Sequence, residues 1–141
     1  MPADICRRCH TVEECYEFML AYAAQGVTSG DDSRSGGRIR EVLQQAVEAL
    51  SGLADACIAA VKAEALKPAD KYLAFFAVIE RDARDALAAI ELVLAQPAFS
   101  SQMVDNLNAS THLRAVLTDL FLLSDIVSSP RTSPAASAVA G

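Results

Sequence analysis

Between residues 38 and 66 the apolar side chains Ile39, Leu43, Ala46, Leu50, Leu53, Cys57 and Ala60 recur at a 4-3-4-3-4-3 spacing. Steps of three and four bring side chains back to one line of an α-helix, and a strand, with its period of two, cannot use them. Val42, Val47, Ala54, Ile58 and Val61 widen the stripe into the broad apolar face of a helix packed inside a bundle. Ser51-Gly52 is the one soft point, where the helix is expected to bend.

The same periodicity appears in three more segments. Over 12–25 it is carried by Val12, Cys15, Met19 and Tyr22, with Phe18 beside them. Thr11 followed by Glu14 reads as a capping box, and Gly26 as the residue that ends the helix. Over 69–95 Tyr72, Phe76, Ile79, Ala83, Ala86, Leu87, Ile90 and Leu94 share an arc, with Arg81, Asp82, Arg84 and Asp85 opposite. Over 100–127 the face is Met103, Leu113, Val116, Leu117, Leu120, Leu123 and Val127, with Ser100 or Ser101 as the N-cap. Pro68 and Pro97 punctuate the chain, and residues 26–37 read as a polar loop. That loop lacks the Gly-Lys-Ser/Thr ending and the preceding strand of a phosphate loop.

No alternating strand pattern and no Asn-Gly hairpin signal competes with these helices. Short connections force neighbouring helices to run antiparallel. The expected fold is therefore all-α: an antiparallel bundle of three long helices plus a shorter N-terminal helix lying across or beside them. The expected organisation is a flexible Cys/His segment at 1–11, one helical domain at 12–128, and a disordered tail at 129–141 around Pro130 and Pro134.

Composition bounds the function. Hydrophobic residues make up 52% of the 141, enough for a real core, and much of that is alanine, which suits close helix packing. A net charge of −6 with scattered basic residues argues against nucleic acid. No apolar run reaches the length of a membrane span. The opening Met-Pro-Ala-Asp-Ile lacks the basic and apolar regions of a signal peptide, so the cytoplasm is the expected location, with the four cysteines reduced.

Candidate chemistry clusters near the N-terminus, at Cys6, Cys9, His10 and Cys15. Cys-x-x-Cys-His is the attachment signature of a c-type haem, but that chemistry requires export. The same donors suit zinc or an iron–sulfur centre, although Cys15 stands at no standard spacing and falls on the apolar face. Arg7 and Arg8 next to two thiols near a helix start also fit a redox-responsive site. The plainest alternative makes Cys6 and Cys9 incidental, and Cys15 and Cys57 inert core thiols.

His112 suggests the phosphoacceptor of a helical phosphorelay protein, against which stands a boundary histidine with its ring half packed. Asn106, on the extrapolated face of Leu113 and Leu117, reads as a polar residue that specifies helix pairing. Glu80 and Glu91 flank an apolar face, but no Glu-x-x-His accompanies them and a di-iron centre is excluded. Glu80 with Arg84, and Arg81 with Asp85, are spaced as i,i+4 ion pairs.

No nucleophile, base and orienting group can be assembled into a catalytic site. The leading expectation is a small non-enzymatic helical interaction or regulatory protein without a cofactor, associating with a protein partner or with itself. Val78, Leu92, Val104 and Leu122, lying off the main stripes, are the apolar surface that such a partner would cover. The alternatives are a metal-binding or redox-responsive module, and a phosphorelay partner.

Overall fold

The computed structural model of the chain describes residues 2–25 and 33–128. Six helices pack together and no strand occurs among the described residues: α1 (Ala3–Ala24), α2 (Ser33–Leu50), α3 (Leu53–Glu64), α4 (Ala69–Leu94), α5 (Ser101–Ala109) and α6 (His112–Val127). Two of the expected long helices are each divided in two. The expected tail at 129–141 lies outside the described residues, as does the helix stop at Gly26.

The N-terminal segment is helical from Ala3 onward. Pro2 stands at the N-cap of α1, the Cys6 amide donates to the Pro2 carbonyl at 3.1 Å, and Ile5 is buried. Asp4 sits in the first turn, where the helix dipole favours an anion. Thr11 and Glu14 form no capping box: the Thr11 hydroxyl donates to the Arg7 carbonyl, and Glu14 lies 3.3 Å from His10. Helix α1 is also central rather than peripheral. It packs against α2, α3, α5 and α6, burying Ile5, Val12, Cys15, Met19 and Tyr22.

Arg8 explains why the 38–66 stretch divides. Its guanidinium donates to the carbonyls of Ala49 at 2.9 Å and Ser51 at 2.7 Å, occupying acceptors that a continuing helix would need. Gly52 then adopts φ 81°, a left-handed conformation that costs glycine little. The turn lets Leu50, Leu53 and Cys57 all remain in the core. Upstream, α2 begins at Ser33, so residues 33–37 of the expected loop are helical.

Helix α4 ends on a second arginine. Arg40 of α2 donates to the carbonyls of Leu94 at 3.0 Å and Gln96 at 2.9 Å, and its guanidinium lies 4.4 Å from the Phe99 ring centroid. Phe99 is buried, its carbonyl accepts the Tyr22 hydroxyl at 2.9 Å, and the Ser101 hydroxyl donates back to the Tyr22 carbonyl. One node thus ties α1, α2 and the α4–α5 connection. Ser100 is the N-cap of α5, accepting from the Met103 amide at 3.0 Å. The second break falls at Thr111, whose φ of 68° ends any continuity between α5 and α6.

Candidate functional site

The candidate site follows from what six packed helices leave uncovered. Among the described residues five large apolar side chains are exposed, and four of them lie on α4 and α6: Leu73, Leu92, Phe121 and Leu122. Leu92 is 67% exposed and Leu122 49%, values far from those of the core residues on the same helices. Val78 and Ile126 are half-buried yet stand outside the hydrophobic core cluster. Two of the four residues expected to remain for a partner, Leu92 and Leu122, are therefore open, and Val78 is partly so. Val104 is not: it is fully buried in the core, because α5 is rotated independently of α6.

Between α4 and α6 stands a pair of carboxyls, Asp82 and Asp119, both half-buried. Asp119 Oδ2 is buried and accepts from no donor among the described residues. The Asp82 carboxyl lies close enough to interact with the Asp119 side chain, and two carboxyls bond only when one of them carries a proton. Desolvation, together with the hydrogen bond and the charge of Asp82, pushes the Asp119 carboxyl up to about 7. Asp82 thus does not belong to a wholly solvated arc, as its position beside Arg81 suggested.

On α4 the two expected ion pairs behave differently. Arg84 reaches Glu80 at 3.0 Å on the exposed surface. Arg81 and Asp85, at the same spacing, enter no ion pair or hydrogen bond among the described residues.

The N-terminal donors are not assembled into a cluster. Cys6 and His10 are exposed and Cys9 is half-buried on α1, whereas Cys15 points into the core from the far side of the same helix. Among the described residues no group of three or more His, Cys, Asp or Glu side chains is placed to hold a metal ion. Burial pushes the Cys15 thiol up to about 12 and the Cys57 thiol to about 11. Cys9 is also raised, by desolvation and then by Glu13 and Cys6. Arg7 and Arg8 both bond Asp4, at 3.0 Å each, and hold its carboxyl below the usual range, while the charge of Arg8 offsets only part of the effect of burial on Cys57.

His112 is the first residue of α6 and half-buried. Asn106 is exposed on α5 and occupies no seam, since the face shared with Leu113 and Leu117 existed only if the helix ran through Thr111. On the same helix Asn108 Oδ1 is buried and accepts no hydrogen bond among the described residues. No described helix is long and apolar enough to cross a membrane. Compared with known proteins, the chain matches no family model, no curated protein and no solved structure.

Proposed function

We propose that this protein is a non-enzymatic helical interaction protein that works by covering the outer face of α4 and α6, and that its first partner is a second copy of itself. What carries the reading is the concentration of exposed leucine and phenylalanine on those two helices, which the rest of the bundle leaves bare. Scattered single leucines are ordinary on a protein surface, but Leu92 and Leu122 stand on helices packed against each other, and each shares a face with a half-buried apolar residue, Val78 on α4 and Ile126 on α6. Alanine at 74, 77, 88 and 89 keeps the outward side of α4 low, so that another helix can approach closely.

The test is the mass of the chain in solution by sedimentation velocity, from micromolar to millimolar protein. Self-association that weakens in Leu92→Glu and Leu122→Glu, with helix content by circular dichroism unchanged, is the expected result. A chain that stays monomeric across that range refutes the reading.

A further inference from the structure

A symmetric dimer uses one patch twice, so the patch must complement itself after a two-fold rotation. Along α4, Ala74, Val78, Arg81, Asp85, Ala88 and Leu92 follow a 4-3-4-3-4 spacing, which holds them on one line of the helix. All are exposed except half-buried Val78. The other sides of α4 are taken: Glu80, Arg84 and Leu87 line the groove toward α3, Glu91 and Leu94 the groove toward α2, and Asp82 faces α6.

A 4-3-4-3-4 spacing reads the same in both directions. Laid against a copy running the opposite way, Ala74 meets Leu92, Val78 meets Ala88, and Arg81 meets Asp85. Each apolar match sets a small side chain against a larger one, and each polar match sets a cation against an anion. The parallel arrangement does neither, for it puts Arg81 on Arg81 and Asp85 on Asp85. Among the described residues of one copy Arg81 and Asp85 are both without an ion-pair partner, while the neighbouring Glu80–Arg84 pair is formed.

Resting on the self-association reading above, we propose that two copies pair through antiparallel α4 helices about a two-fold axis at the level of Ala83. The partner's Asp85 is the counter-ion of Arg81, and the two pairs straddling the axis select orientation and register. Leu92 closes each end of the contact over the partner's Ala74.

A charge-swap cycle on the full chain, followed by sedimentation velocity, tests this arrangement. Arg81→Asp and Asp85→Arg each place like charges across the axis twice, and each weakens the dimer about ten-fold. The double variant restores opposite charges and returns to within about two-fold of the parent. In addition, Ala74→Cys mixed with Leu92→Cys gives a disulfide joining positions 74 and 92, identified by peptide mass. A dimer indifferent to both single variants, or a double variant no better than either, overturns the arrangement but leaves self-association standing. A link joining position 74 to 74 overturns it too, and a chain that never dimerises removes both.

Discussion

At the scale of single residues, Asp119 has the clearest energetic consequence. Its carboxyl titrates about 7 in the folded chain and near 3.8 when free. Between those values the folded state binds more protons than the unfolded one, so stability from this group falls as pH rises. The contribution is complete below about 4, declines through the interval and is gone above about 7. A displacement of that size corresponds to at most ~4 kcal/mol, which solvent at this half-exposed position reduces to about 1–2 kcal/mol. Asp119→Asn keeps a hydrogen bond to Asp82 without the charge. It is expected to raise urea-derived stability at pH 8 by about that amount and to leave pH 4 nearly unchanged. An equal gain or loss at both pH values would show that the carboxyl pair does not set the dependence. Composition and periodicity hid this pair. A helical wheel places Asp82 and Asp119 on their own helices, but only the mutual rotation of α4 and α6 brings one against the other.

At the scale of elements, helix ends marked by proline were legible and ends made by distant residues were not. Pro68 and Pro97 fix α4 almost to the residue, and Ser100 caps α5 for the reason its hydroxyl suggested. The 38–66 stripe, by contrast, stays in register through Ser51-Gly52, because both resulting helices bury the same kind of face. Ser51-Gly52 marked where α2 ends, but the guanidinium that holds the break belongs to Arg8, forty residues upstream of Glu48 in sequence, and no local pattern contains it. The start of α1 was missed for the same reason: Ile5 and Arg8 find their partners only in the packed structure. Thr111 carries no glycine or proline signal at all. The left-handed breaks at Gly52 and Thr111 should respond oppositely to substitution. Gly52→Ala places a side chain at φ 81°, where a Cβ meets only ordinary contacts with Arg8, so backbone strain alone costs about 1–2 kcal/mol. Thr111→Gly relieves a β-branched residue at φ 68° and is expected to gain about 0.5–1 kcal/mol. Denaturant midpoints at constant m-value check both. Matching signs would mean that one of these breaks is not held as described.

At the scale of the whole molecule, the cysteines report whether the six described helices behave as one body. Cys15 on α1 and Cys57 on α3 belong to a single hydrophobic cluster that also takes in α2, α4, α5 and α6. The thiolate is the nucleophile, so burial that raises a thiol to about 12 or 11 suppresses its reaction as well as shielding it. With an aromatic disulfide reagent at pH 8, Cys6 is expected to react first and Cys9 more slowly. Cys15 and Cys57 should react only through opening of the fold. Mass spectrometry of labelled peptides separates the four sites. In rising urea, a cooperative core exposes Cys15 and Cys57 at one midpoint, shared with the loss of helix content. Earlier labelling of Cys57 would instead mark α3 as a separately opening unit, released at the Gly52 turn while α1 stays packed. Native-state labelling of Cys15 at the Cys6 rate would contradict the burial of α1 altogether. The single-midpoint result also bears on association through α4: a helix anchored in one cooperative core presents Arg81, Asp85 and Leu92 at fixed spacing, and a preformed surface pairs without first ordering itself.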